Sequence, residues 1–144
     1  MSFTLQTWAS YVTENYMKQF SEAFSKRLEG TGITRIQWIA LYYIHQNDNN
    51  IYQRELSNKM YIADSSVGRL IDRLERDGLV KRVKGKEDKR MIFVQLTAEG
   101  KKLFKEVLPI GEAFNDTLTK NISAEDLEIF NSVLNQMLIN ILEE

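Results

Sequence analysis

Apolar residues recur at steps of three and four near both ends of the chain. The spacing holds from Leu5 to Leu28 and again from Leu127 to Ile141. This period is typical of long amphipathic helices. We expect the first helix to end at Gly30-Thr31-Gly32 and the last to begin after Ser123, a suitable cap.

Two further helical stripes lie inside these ends. The residues from Trp38 to His45 form one stripe behind Thr34, a candidate cap, and it stops in the turn-rich segment 46–50. The other runs from Leu103 to Leu118 behind Thr97, with Pro109 as an expected kink near its middle. The chain is therefore predicted to be mainly helical.

The middle of the chain predicts a helix-turn-helix. Residues 52–60 suit a short helix, and Tyr61-Ile62-Ala63 suits a tight connection. A second helix opens at 64–66, buries Val67, Leu70, Ile71 and Leu74, and ends at Gly78. With that core face assigned, the outward side chains are Ser65, Ser66, Arg69, Asp72, Arg73 and Arg76.

Two segments rich in β-branched and aromatic residues follow the second helix. Segments 79–83 and 90–96 are joined by the charged loop 84–89, which predicts a β-hairpin with a long basic tip. Helix, turn, helix and hairpin together make a winged helix. The predicted fold class is mainly α with a small β-hairpin wing (α+β), flanked by long terminal helices.

Charge is unevenly distributed along the 144 residues. Residues 51–105 carry fourteen basic and eight acidic side chains, whereas the rest carries five basic and twelve acidic ones. The formal net charge of −1 hides this polarity. A basic middle indicates a polyanionic partner, although such a segment can also be only solvated surface.

Composition excludes several other classes of function. The chain has no Cys and one His, so neither a thiolate metal site nor a thiol redox sensor is expected. We predict no catalytic residues, no metal and no cofactor, and hence no enzyme. The longest apolar run, residues 38–44, is too short to cross a membrane, and no secretory signal is evident, so a cytoplasmic location is expected.

The winged helix gives the basic residues a geometry for double-stranded DNA. The second helix suits the major groove, and the tip of the hairpin suits the adjacent minor groove, where a guanidinium such as that of Arg90 is favoured. Asp88 would repel phosphate, so we expect it to orient Arg90 instead. The predicted DNA-binding residues are Ser65, Ser66, Arg69, Arg73, Arg76, Lys84, Lys86, Asp88, Lys89 and Arg90.

The motifs resemble those of the MarR/SlyA family of bacterial transcription regulators. The resemblance is carried by Glu55-Leu56-Ser57, by the run from Ser65 to Val80, by Asp88-Lys89-Arg90 and by the run from Leu96 to Gly100. Gly68 departs from it, since relatives commonly carry Ser or Thr there.

The resemblance implies one MarR-type domain over residues 1–144 that forms a homodimer on pseudo-palindromic promoter DNA. Residues 51–100 would form the DNA-binding lobe, and residues 1–33 and 101–144 the helical dimerisation lobe. We expect a repressor more than an activator. The alternative is a winged-helix protein-interaction module without sequence-specific DNA binding.

The resemblance also implies a small aromatic or lipophilic effector that binds between the two lobes and releases DNA in many relatives. The aromatic side chains of the first two helices are candidates to line its pocket, although such residues are more often core or dimer interface. Arg35 would meet a carboxylate. The candidate pocket residues are Trp8, Tyr11, Tyr16, Phe20, Arg35, Trp38 and Tyr42.

Overall fold

The computed structural model describes residues 2–144. Six helices and three strands follow one another in the order α1 (Ala9–Arg27), α2 (Arg35–Gln46), β1 (Ile51–Tyr52), α3 (Gln53–Met60), α4 (Asp64–Arg76), β2 (Val80–Lys84), β3 (Ile92–Leu96), α5 (Ala98–Leu118) and α6 (Ala124–Leu142). The chain divides into two compact units, the first ending at Glu112 and the second running from Ala113 to Glu144. Within residues 2–144, no helix combines the length and apolar character needed to cross a membrane.

The terminal helices form where the apolar period predicts them, with one correction at the start. The spacing predicts a helix from Leu5, but α1 begins at Ala9 and a single 3-10 turn, Leu5–Thr7, precedes it. Thr4 and Thr7 exchange hydrogen bonds across that turn and so compete with a continuous α-helix.

The predicted caps are confirmed. The Thr34 hydroxyl accepts from the Gln37 N–H at 3.3 Å, and the Ser123 hydroxyl accepts from the Asp126 N–H at 3.0 Å. The Thr97 hydroxyl likewise accepts from the Gly100 N–H at 3.0 Å. Each cap satisfies a backbone donor that the first turn of a helix leaves free. The helix α5 continues through Pro109 to Leu118.

The helix-turn-helix consists of α3 and α4. Tyr61, the residue that ends α3, takes a left-handed conformation with φ +56°, and this reverses the chain within three residues. At its other end α4 stops at Arg76, and Gly78 follows with φ +76°, where the Leu79 N–H donates to the Leu74 carbonyl. This closing pattern satisfies the last carbonyls of the helix and favours glycine.

The sheet has three strands, one more than the hairpin predicted from the sequence. β2 and β3 pair antiparallel from Val80 opposite Leu96 to Lys84 opposite Ile92. The additional strand, β1, pairs antiparallel with the other edge of β3, so the order is β1-β3-β2. Tyr52 belongs to β1, so the predicted helix over residues 52–60 is wrong at its first residue. A two-residue strand is too short to show a period of its own, and its pairing comes from β3.

One hydrophobic core holds the winged helix together within the first unit. It combines side chains of α2, the helix-turn-helix, all three strands and the first part of α5. Its buried members are Ile33, Ala40, Leu41, Ile44, Ile51, Leu56, Val67, Leu70, Ile71, Leu74, Val80, Val94, Leu96, Phe104 and Val107. This core fixes α4 and the wing in one unit, and both carry the predicted DNA-binding residues.

Candidate nucleic-acid interface

The helix α4 presents a basic face to solvent. Its four predicted core residues, Val67, Leu70, Ile71 and Leu74, are all buried. The side chains on the opposite face are exposed, as the period predicts; those predicted to bind DNA are Ser65, Ser66, Arg69, Arg73 and Arg76. Burial of one face therefore determines which side chains of α4 are available to a partner.

The three arginines of this face differ in their contacts. Arg76 Nε lies 3.3 Å from the carboxylate of Asp77. Among residues 2–144, Arg69 and Arg73 make neither an ion pair nor a side-chain hydrogen bond with another residue. Their guanidinium groups therefore keep all their donors for an external acceptor. The two side chains lie four residues apart, on the same stripe of the helix.

Arg90 at the tip of the wing contacts Asp88, as the sequence predicts. Arg90 Nε and Nη2 each lie 3.1 Å from a different carboxylate oxygen of Asp88, and the Arg90 backbone N–H donates to the same carboxylate at 2.9 Å. These bonds from Arg90 hold the pKa of Asp88 below its ordinary value of 3.8. The Arg90 side chain is nevertheless 92% exposed. The predicted contact is confirmed, and it leaves one face of the guanidinium free to meet a partner.

A closed turn shapes the tip. The Gly85 N–H donates to the Met91 carbonyl at 2.8 Å, and the Met91 N–H donates to the Asp88 carbonyl at 3.1 Å. A Cβ on Gly85 would lie 2.5 Å from the Asp88 carbonyl oxygen, so only glycine fits there. Arg90 belongs to this turn, not to the second strand as the sequence analysis had it, because β3 begins at Ile92. The other basic residues of the tip, Lys84, Lys86 and Lys89, are exposed.

Sequence reasoning missed a second arginine of the wing. Arg82 lies on β2, and its side chain is only 25% exposed. It reaches across to α4, where Nη1 lies 2.6 Å from Asp72 Oδ1 and 3.3 Å from Glu75 Oε1. A signal for it existed, because Arg82 is two residues after the buried Val80 and so shares its face of the strand.

The candidate effector residues fall into separate groups. Trp38 and Tyr42 stack with ring centroids 5.7 Å apart, and the Trp38 indole N–H donates to the Val107 carbonyl at 2.9 Å. Tyr16 and Phe20 stack on each other on α1, with centroids 6.2 Å apart. No ring contact joins the two pairs within the described residues.

The remaining candidates make no ring contact with either pair among the described residues. The Trp8 ring contacts Phe3 with centroids 5.8 Å apart, and Tyr11 is exposed on α1. Arg35 is half-buried at the start of α2. Ring contacts therefore do not connect these seven side chains among the residues described, and the effector pocket stays a prediction.

A helix-turn-helix followed by a basic hairpin defines a winged helix-turn-helix protein. A family model described as MarR family matches residues 31–91. The uncharacterized HTH-type transcriptional regulator YsmB of Bacillus subtilis (strain 168) is 33% identical over 103 residues, which cover 71% of this chain and 69% of YsmB. The transcriptional regulator HosA of Escherichia coli is 35% identical over 74 residues. Those residues span 51% of this chain and 55% of HosA.

The crystal structure of a MarR family transcriptional regulator from Silicibacter pomeroyi superposes with a TM-score of 0.76 at 25% identity, covering 96% of this chain and 92% of that chain. The crystal structure of an S. aureus MepR–DNA complex superposes with a TM-score of 0.83 at 26% identity, covering 96% of this chain and 99% of MepR. The chain belongs to the MarR family of transcriptional regulators. The resemblance inferred from its motifs and the winged-helix fold class are both confirmed.

Proposed function

We propose that this chain is a sequence-specific DNA-binding repressor that acts as a homodimer on a pseudo-palindromic operator. The observation that carries the proposal is the set of guanidinium groups presented outward on two elements of one unit. Arg69 and Arg73 are unpaired on α4, and Arg90 is exposed and oriented on the wing. A helix and a basic tip arranged in this way suit adjacent grooves of duplex DNA.

The proposed roles follow from the position of each side chain. Arg69 and Arg73 read base edges in the major groove, and Ser65 and Ser66 contact bases or backbone at the N-terminal end of α4. Arg76 and the lysines of the wing, Lys84, Lys86 and Lys89, contact phosphates. Arg90 enters the minor groove with Asp88 as its orienting partner, as the 3.1 Å contacts between them support.

The proposed homodimer accounts for the apolar surface of the terminal helices. Within residues 2–144, no side chain of α6 is buried, although Phe130, Val133, Met137 and Ile141 form an apolar stripe along it. An exposed stripe of this length favours association. In the proposed division, residues 51–100 bind DNA and residues 1–33 and 101–144 form the dimer. Two recognition helices about 34 Å apart then match an inverted repeat.

A small aromatic or lipophilic effector is the proposed regulator of DNA binding in the bacterial cytoplasm. Aromatic side chains on α1 and just before it support it: Trp8, Tyr11, Tyr16 and Phe20 are 42–55% exposed in the single chain. Such a molecule changes operator affinity only if it binds one dimer shape more tightly than another. Trp8 and Trp38 provide an intrinsic fluorescence signal for titrating candidate phenols.

Selection of bound duplexes from a random pool tests the function. We expect an inverted repeat, and binding of the selected duplex at several salt concentrations should exceed binding of a scrambled duplex at each of them. Arg69→Ala and Arg73→Ala should each cost about 1–3 kcal/mol and relax preference at particular positions. A uniform loss over all sequences would instead identify phosphate contacts.

The same experiment separates the alternative function. A protein-interaction module should prefer no duplex at any ionic strength, and that result would refute the proposal. Sedimentation equilibrium tests the homodimer independently of DNA, since a monomer at micromolar concentration contradicts it.

A further inference from the structure

Arg82 makes more polar contacts than any other side chain of the wing that the structure describes. Its Nε donates to Gln53 Oε1 of α3 at 3.1 Å, and its Nη2 donates to the Gly68 carbonyl of α4 at 3.0 Å. Its Nη1 contacts the carboxylates of Asp72 and Glu75. One guanidinium on β2 therefore contacts both helices of the helix-turn-helix.

The backbone of the same residue adds a further contact. The Arg82 N–H donates to Glu75 Oε2 at 3.2 Å, so Glu75 is bonded to both the backbone and the side chain of Arg82. Within β2, Arg82 pairs with Val94 of β3, and these two strands end in the tip that carries Arg90. The contacts thus connect the two elements that present the proposed DNA-binding arginines.

The chemistry of these contacts requires arginine. A guanidinium has three nitrogens in a rigid plane, and here each nitrogen serves acceptors in a different direction. A lysine has one nitrogen and cannot reach Gln53, Gly68 and Asp72 together. Arg69 and Arg73, in contrast, use none of their donors within the described chain.

Arg82 also compensates two acids on the basic face. Asp72 and Glu75 are 66% and 45% exposed, close to the arginines proposed to meet DNA. Unpaired carboxylates there would repel phosphates. Their contacts with Arg82 offset that charge and hold both carboxylates toward the wing.

We propose that Arg82 is a positioning residue for operator recognition: it holds α4 against α3 and the wing at the orientation that lets both elements enter their grooves, without itself contacting DNA. The inference rests on the proposed function. It assigns Arg82 to specificity and not to the general attraction of DNA, because four of its five N–H donors already serve acceptors within the protein.

The test compares three variants for binding to the selected operator and to a scrambled duplex. Arg82→Lys keeps the charge but loses the three-way contact, and we expect the operator preference to fall about 10-fold or more while scrambled-duplex binding stays within about twofold. Asp72→Asn should also lower the preference, although removing a negative charge would by electrostatics alone tighten binding. Lys81→Gln is the control, since Lys81 is exposed beside Arg82 on β2 and its loss should leave the preference unchanged.

Salt dependence separates positioning from direct contact. The slope of log affinity against log salt concentration for Arg82→Lys should equal that of the unaltered protein. A slope reduced by about 0.9 in Arg82→Gln would instead show that Arg82 itself neutralises a phosphate, and this would overturn the proposal. Circular dichroism melts verify that each variant is folded at the assay temperature. If the Arg82 variants unfold, Asp72→Asn still tests the proposal, because it changes only an exposed partner of Arg82.

Two failures remain distinguishable. An unaltered protein that prefers no duplex refutes the proposed function. If the unaltered protein prefers the operator and both Arg82→Lys and Asp72→Asn keep that preference, the positioning role of Arg82 is refuted and the proposed function stands.

Discussion

Gly68 in α4 and Gly100 in α5 are both helical, yet the structure predicts opposite effects of replacing each with alanine. A Cβ on Gly68 would meet a single neighbour, Gln53 Nε2, at 3.9 Å, which is an ordinary contact distance. A Cβ on Gly100 would lie 2.0 Å from the Leu79 carbonyl oxygen. The same chemical change therefore places a methyl group at ordinary contact distance in one helix and against backbone in the other.

The magnitudes follow from these distances. Gly68→Ala removes the entropic penalty of glycine in a helix interior, so it should raise the free energy of unfolding by about 0.8–1.0 kcal/mol. That increase corresponds to a Tm higher by about 3 °C. Gly100→Ala forces β2 or α5 to move, because the Leu79 carbonyl also accepts from the Thr97 N–H at 3.1 Å. We expect a loss of about 3 kcal/mol, the upper end for overpacked sites.

Urea unfolding followed by circular dichroism measures both effects at one protein concentration, since association would make stability concentration-dependent. Each variant serves as the control for the other. A Gly68→Ala protein less stable than the unaltered one, or a Gly100→Ala protein of equal stability, would show that the packing around these glycines has been misread.

Four further outcomes are expected. Arg90→Ala should weaken operator binding about 10- to 100-fold with an unchanged melting temperature, and unchanged affinity would refute the wing assignment. In the same variant the pKa of Asp88, followed by NMR titration, should rise toward 3.8, because the contact that stabilises the ionised carboxylate has been removed. Because its pKa is lowered, Asp88 is ionised and orients Arg90 at neutral pH. The contact is lost only as the pH falls through that lowered pKa. A change in DNA binding near neutral pH that depends on Asp88 would contradict the assignment. Trp38→Phe should cost about 1–2 kcal/mol in urea unfolding because it removes the donor to the Val107 carbonyl; equal stability would show that the hydrogen bond contributes nothing.

The features predictable from the sequence depend on neighbours along the chain. Helical period, the caps at Thr34 and Ser123, and the turn at Gly78 each involve residues within a few positions of one another. The contact between Asp88 and Arg90 also spans only two residues. Local geometry decides such interactions, so the motifs, the basic face of α4 and the family were accessible before any coordinates.

Other features depend on residues far apart in sequence. β1 exists because β3 pairs with it across more than forty positions, Trp38 is bonded to Val107 of α5, and Arg82 reaches Gln53 of α3 and Asp72 of α4. No period or motif specifies these partners, since their proximity is created when the core assembles. The sequence by itself thus determined which side chains α4 exposes. Only the tertiary structure decided which groups Arg82 contacts, because its acceptors are brought to it by the packing of α3 and α4 against β2.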